Sequence, residues 1–142
     1  MRMINRVSDI RTVMVAGAGT LGMRIALRCA LDGYQVIMFD TNAPQLDRAQ
    51  RMQARLVRGL LKSGKVTQAQ VDRLTTNLCV TSDMSEAVKD IDLISESIIE
   101  DVDIKNAFYA DLTPRLEPGV IVTTNTSFLL ASQFLNSVKE PE

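Results

Sequence analysis

The sequence predicts an α/β fold with one doubly wound parallel sheet, and three observations carry that prediction. Short β-branched apolar runs alternate with longer segments whose apolar residues recur at three- and four-residue steps. Glycines follow the first run at once and open a helix. No Pro-, Gly- or Ser-rich linker divides the 142 residues. One domain therefore accounts for 1–142, with a core over about 11–136 and tails at 1–10 and 137–142. The polar 137–142 tail reads as a chain end or a domain boundary.

Arg11-Thr-Val-Met-Val-Ala16 is the first strand, nearly continuous in apolar residues as a strand covered on both faces must be. A helix follows from about Thr20 to Leu31, with Leu21, Ile25, Ala26 and Leu27 as packing residues, and Asp32-Gly33 ends it. Tyr34 to Phe39 is a second strand that stops at Asp40. A long helix fills roughly Pro44 to Ser63, with Pro44 suited to its first turn. Leu46, Ala49, Met52, Leu56 and Leu60 mark its expected buried face. Arg48, Arg51, Arg55, Arg58, Lys62 and Lys65 form a basic stripe nearly opposite. Thr67 then reads as an N-cap for a helix to about Thr75. The rest reads as a strand at 77–81, a short helix at 83–88, a strand at 91–95, and a helix from Val102 to Leu112 stopped near Pro114. A fifth strand at 119–124 and a final helix from Phe128 to Leu135 complete the pattern. Right-handed crossovers then predict the sheet order 3-2-1-4-5.

Composition narrows the function classes. The net charge of −1 gives no global reason to expect nucleic acid. The halves differ: residues 1–65 carry eleven Lys or Arg against four Asp, and residues 66–142 five against thirteen Asp or Glu. That asymmetry points to an anionic partner near the first half. Cys29 and Cys79 lie in apolar patterns far apart and read as free buried thiols, compatible with a reducing cytoplasm. No secretory signal pattern and no membrane-length apolar run is present. No metal site is expected. The chain has no histidine, so the usual neutral-pH general base is missing from it.

Gly17-Ala-Gly-Thr-Leu-Gly22 has the G-x-G-x-x-G spacing of the Rossmann dinucleotide fingerprint, placed between a strand and a helix as the motif requires. Gly17 permits the tight turn, Gly19 lets a pyrophosphate approach the backbone, and Gly22 allows close helix packing. The free N–H groups of the first helical turn, around Thr20 and Leu21, together with the helix dipole, bind the phosphates. Asp40 ends the second strand, where an acid accepts from the adenosine ribose hydroxyls and repels a 2′-phosphate; NAD is therefore favoured over NADP. The alternative is that Asp40 only caps the loop into the next helix. Arg24 either approaches the pyrophosphate or points to solvent.

Ligands in such sheets sit beyond the carboxyl ends of the strands. Two polar segments fall there: Glu96-Ser-Ile-Ile-Glu-Asp101 with Lys105 beyond it, and Thr124-Asn-Thr-Ser127. Together with Val15-Ala-Gly-Ala-Gly-Thr-Leu-Gly22 and Asp40, these runs resemble the NAD-binding domain of the 3-hydroxyacyl-CoA dehydrogenases, over about residues 11–142. The resemblance implies that Glu100 and Lys105 lie near the nicotinamide half of NAD, with Lys105 also reaching toward substrate. It implies that Asn125 contacts the nicotinamide ribose region, and that Ser127 hydrogen-bonds the 3-oxygen of the substrate and orients it for catalysis. For Ser127, an N-cap on the final helix is the plainer reading, and both can hold. Arg55, Arg58 and Lys62 would meet the phosphates of an acyl-CoA thioester; a solvated helix face is the alternative. Phe128 stands where the family often has a second serine, which bears on acyl preference.

The family's reaction interconverts (S)-3-hydroxyacyl-CoA and 3-oxoacyl-CoA, using a histidine–glutamate pair beyond the serine loop. Neither that histidine nor the family's C-terminal helical domain, which closes the cleft and builds a homodimer, is in this chain. The resemblance therefore implies an NAD-binding domain with little turnover by itself. Two other readings stand beside it: a stand-alone NAD-binding or redox-sensing module, and a related hydroxy-acid dehydrogenase domain that does not use CoA.

Overall fold

A computed structural model describes residues 4–134. Five strands form one sheet in the order β3-β2-β1-β4-β5, as the sequence predicts: β1 Thr12–Ala16, β2 Gln35–Phe39, β3 Leu78–Thr81, β4 Leu93–Glu96 and β5 Ile121–Thr124. All pairings are parallel. The helices are α1 Thr20–Leu31, α2 Ala43–Lys62, α3 Gln68–Asn77, α4 Met84–Ala87 and α5 Val102–Leu112. No helix among these residues is long and apolar enough to cross a membrane.

Because side chains alternate across a strand, β1 feeds two cores. Val13 and Val15 pack on one face with Val36, Met38, Ala26, Ala30, Leu46 and Ala49. Met14 and Ala16 pack on the other with Phe39, Ile94, Tyr109 and Leu112. The register fixes the upper edge of the sheet. Ala16 lies beside Phe39 and Glu96, and Glu96 beside Thr124. The next residues, Gly17, Asp40, Ser97 and Asn125, therefore emerge side by side at one lip.

Several expectations need correction. The buried side of α2 is Leu46, Ala49, Gln53 and Val57, while Met52 is exposed. Gln53 is kept inside because its amide donates to Met23 O at 2.8 Å, a bond that periodicity of apolar residues cannot signal. Leu21 is also exposed. Cys29 is half-buried and Cys79 exposed, since β3 is an edge strand covered only in part. Burial and the nearby Asp32 charge raise the Cys29 thiol's pKa. The final helix from Phe128 is replaced by a single 3-10 turn, Ala131–Gln133. Side-chain acceptors take the amides a helix would need: Glu100 takes Ser127 N, Thr126 Oγ1 takes Leu129 N, and Gln133 takes Leu130 N. Leu135 and the 137–142 tail lie outside the described residues. Finally, Glu96, read as the start of a loop, is the last residue of β4 and is fully buried.

Candidate functional site

The glycine loop joins β1 to α1 under tight steric control. Gly17 has φ +99, and a Cβ there would stand 2.5 Å from Ser97 O. Its N–H donates to Phe39 O at 2.8 Å, which ties the turn to β2. A Cβ on Gly22 would strike Gly17 O, so this glycine lets α1 pack against the loop itself. Gly19 differs from both. Its backbone is extended, with φ −68, and a Cβ there would meet nothing within 4 Å. Neither conformation nor packing among the described residues calls for glycine at 19. The space it leaves open lies over the start of α1, which has no side-chain cap. The N–H groups of Thr20, Leu21 and Gly22 have no acceptor within the helix and sit at its positive end. This cradle fits a diphosphate. Arg24 is exposed on the same helix, one turn further on.

Side chains from outside hold the loop. Asp40 Oδ2 accepts from Ala18 N at 2.8 Å, and Gln45 Nε2 donates to Ala18 O at 2.8 Å. Both polar groups of the Ala18 backbone are therefore clamped before any ligand arrives. Asp40 Oδ1 accepts from Asn42 N at 2.9 Å, and Asn42 caps α2 through Gln45 N. Asp40 thus does cap the loop. Each of its oxygens retains a second lone pair for a ribose hydroxyl. Gln45 was not singled out in the sequence; its only signal is a polar amide in the first turn of a helix that begins at the strand-end lip.

The other half of the lip is organised by Glu96. Its carboxylate accepts from Lys105 Nζ at 2.7 and 2.8 Å, Tyr109 OH at 3.2 Å, Thr124 Oγ1 at 2.6 Å and Ile98 N at 2.8 Å. Lys105 and Tyr109 are 1% and 2% exposed. Burial, reinforced by the Glu96 charge, raises the Tyr109 pKa well above its ordinary value, so its hydroxyl stays a donor. Phe134 closes the cluster, stacked on Tyr109 at 5.4 Å and facing the Lys105 ammonium at 5.8 Å. Lys105 is buried one helical turn into α5, where the Glu96 carboxylate holds its ammonium and its charge acts on Glu100 at the rim. Glu96 and Tyr109 were missed as a pair with it. The available signal was an acid ending an apolar strand, with a lysine nine residues later on the inward side of a helix.

Glu100 lies at the rim and accepts from Thr126 Oγ1 at 2.7 Å and Ser127 N at 3.2 Å. The Thr126 hydroxyl, with the Ser127 amide and the Lys105 charge, holds its carboxyl below the ordinary range, against a smaller opposing effect of desolvation. Asn125 bridges the two loops through Ser95 Oγ at 3.0 Å and Ser97 Oγ at 2.8 Å. Ser127 is exposed, and its hydroxyl makes no hydrogen bond among the described residues. Gly17, Gly19, Asp40, Glu100, Asn125 and Ser127 are thus gathered at one edge. Arg55, Arg58 and Lys62 are exposed but stand apart. At 1.5 Å per residue they lie roughly 18–28 Å along α2 from its start at the lip. A depression between Asp90, Glu117 and Gly119 opens at the amino ends of the strands, remote from this chemistry.

A family model described as 3-hydroxyacyl-CoA dehydrogenase, NAD binding domain, matches residues 12–142. The chain is 32% identical over 139 residues to 3-hydroxyadipyl-CoA dehydrogenase of Escherichia coli strain K12, covering 94% of this chain and 28% of that protein. Its fold is similar to the crystal structure of 3-hydroxybutyryl-CoA dehydrogenase from Escherichia coli K12, with a TM-score of 0.83 and 32% identity over 92% of this chain and 27% of that one. It is likewise similar to a diketoreductase structure concerned with dual catalysis of dicarbonyl compounds, with a TM-score of 0.82 and 32% identity over 90% and 46% of the two chains. The chain spans 16–46% of the length of the curated relatives it matches. With the cradle and this match in agreement, the chain belongs to the NAD-binding domain family of the 3-hydroxyacyl-CoA dehydrogenases, whose coenzyme is NAD.

Proposed function

We propose that this domain binds NAD across the strand-end lip and serves the oxidation of (S)-3-hydroxyacyl-CoA to 3-oxoacyl-CoA, and its reverse, within a longer polypeptide. The observation that carries the coenzyme reading is Gly19, a glycine whose missing side chain leaves room that none of the described residues uses. The diphosphate would take the N–H groups of Thr20, Leu21 and Gly22, and Asp40 the adenosine ribose. Asn125 and the Glu100 rim would face the nicotinamide side. NAD supplies the hydride acceptor when bound.

Ser127 would donate a hydrogen bond to the 3-oxygen, orienting the carbinol without removing its proton. Glu100 sets that orientation by holding the Ser127 amide. The reaction also needs a base for the hydroxyl proton. The chain has no histidine to supply it. We therefore propose that these 142 residues bind NAD but turn over little by themselves. Arg55, Arg58 and Lys62 support an acyl-CoA partner by charge alone, and their distance from the lip requires the extended CoA arm to carry its phosphates along α2. A homodimer is the assembly proposed for the whole protein, and the cytoplasm its compartment.

The diketoreductase likeness favours one second reading, a dehydrogenase acting on a small hydroxy or dicarbonyl compound without CoA. Calorimetry separates the two. The thioester reading predicts that the NAD-loaded domain binds 3-hydroxybutyryl-CoA more tightly than free 3-hydroxybutyrate; equal affinity contradicts it. A single-turnover mixture of domain, NAD and 3-hydroxybutyryl-CoA is expected to yield almost no NADH, and fast NADH formation would refute the missing-base argument.

A further inference from the structure

We infer that Ser95 and Ser97 are positioning residues that lock the Asn125 carboxamide with its oxygen toward the crevice, so that the lip offers an acceptor to a hydroxyl of the nicotinamide ribose. This role rests on the NAD reading above and assigns one atom of it.

Asn125 begins the loop after β5 and is exposed. An exposed amide ordinarily turns freely, because water satisfies either end of it. This one is held through its backbone and its side chain. Its N–H donates to Glu96 O at 2.9 Å. Its Nδ2 donates to Ser95 Oγ at 3.0 Å and to Ser97 Oγ at 2.8 Å. Both hydrogens of the carboxamide are then in use, while its oxygen, with two lone pairs, makes no hydrogen bond among the described residues. The two hydroxyls are themselves fixed. Residues two apart in an extended chain share a face, so both serines stand on one side of the β4 end, opposite Glu96. Ser95 is buried within β4, beside Val15 of β1 and Thr123 of β5. Ser97 donates its N–H to Ala16 O at 2.7 Å, and its carbonyl lies against Gly17, where no Cβ would fit. Hydrogen bonds on an exposed side chain contribute little to stability, since water competes for them. Two of them on one amide instead set a direction. A fixed acceptor on the nicotinamide side complements a hydroxyl donor, and a ribose hydroxyl can meet it without the amide losing freedom on binding.

The test has two arms. Proton NMR on the ligand-free, isotope-labelled chain reads the amide directly: Overhauser contacts from the Asn125 side-chain amide protons to the β-protons of both serines are expected, and their absence overturns the proposal. Calorimetry then compares NAD with ADP-ribose, which lacks the nicotinamide, and with ADP, which lacks the nicotinamide and its ribose. Freeing the amide in Ser95→Ala/Ser97→Ala should weaken NAD and ADP-ribose about fivefold relative to ADP, and Asn125→Ala about tenfold, the range of one hydrogen bond. In an Asn125→Ala background the serine changes should alter that ratio by less than about twofold, because they act through the amide. A parallel loss for all three ligands would mean a purely structural role and overturn the proposal. So would a loss confined to NAD, which would put the amide on the nicotinamide ring, or a serine effect that persists without Asn125, which would put the serines on the coenzyme. If the double variant does not fold, Ser97→Ala decides alone, with an expected loss of about threefold. A wild-type chain that binds none of the three overturns the NAD reading as well; one that binds all three, with variants of unchanged ratio, overturns only this inference.

Discussion

The glycine loop and the Glu96 cluster share one sheet edge and are built in opposite ways. At the loop, glycine strips away side chains and leaves backbone donors facing open space over Gly19. At Glu96, side chains fill every acceptor site and leave nothing open. The first region leaves helix-end N–H groups without an acceptor in the helix. The second satisfies a buried carboxylate and ties a helix, a strand end and a loop amide together. Half of a binding site can thus be a vacancy and half a scaffold, and variants in the two halves should fail differently.

The largest effect is expected from breaking the scaffold unevenly. Glu96→Ala leaves the Lys105 ammonium buried without a partner, which costs about 3–5 kcal/mol. A urea titration should show a clear loss of midpoint, and a midpoint equal to wild type would mean that the pair is not buried as described. Next comes Gly17→Ala. A residue with a Cβ at φ +99 is strained by about 1–3 kcal/mol, and the Ser97 carbonyl stands in its way. We expect roughly 2–4 kcal/mol of destabilisation in the same titration.

Gln45→Met should act more gently. It removes the donor to Ala18 O at a half-buried position, with an expected stability loss of about 1 kcal/mol. NAD and ADP-ribose affinity should fall together, since the clamp serves the phosphate loop they share. A loss confined to NAD would place Gln45 in the wrong half of the site. The smallest effect is electrostatic. The Glu100 carboxyl titrates below the ordinary value of 4.5. Its ties to Thr126 and Ser127 therefore hold above the unfolded pKa and are lost as pH falls through the folded one. The Ser127 amide resonance should shift with a midpoint below 4.5; a midpoint above it reverses the assigned cause.

The same contrast explains what was legible in the sequence. Sheet order, α1, α5 and the glycine turn follow from periodicity and from residues with one conformational use. The cap that Asp40 places on the loop was legible, because it is the plainer of the two readings of an acid at a strand end. Gln53, Gln45 and Glu96 were not. Each is a polar residue with a side-chain or backbone partner nine or more residues away in sequence, and no local spacing encodes that bond. The segment after Ser127 was misread as a helix because its apolar pattern is helical. The competing acceptors on Glu100, Thr126 and Gln133 became visible only once the loops were placed.

The central claim, that open space over residue 19 belongs to the diphosphate of NAD, is tested most directly by Gly19→Ala. The added methyl meets no atom among the described residues, so thermal stability should match wild type, while calorimetry should show NAD affinity reduced by about tenfold or more, equivalent to about 1.4 kcal/mol. An alanine variant that binds NAD as tightly as wild type would contradict the claim.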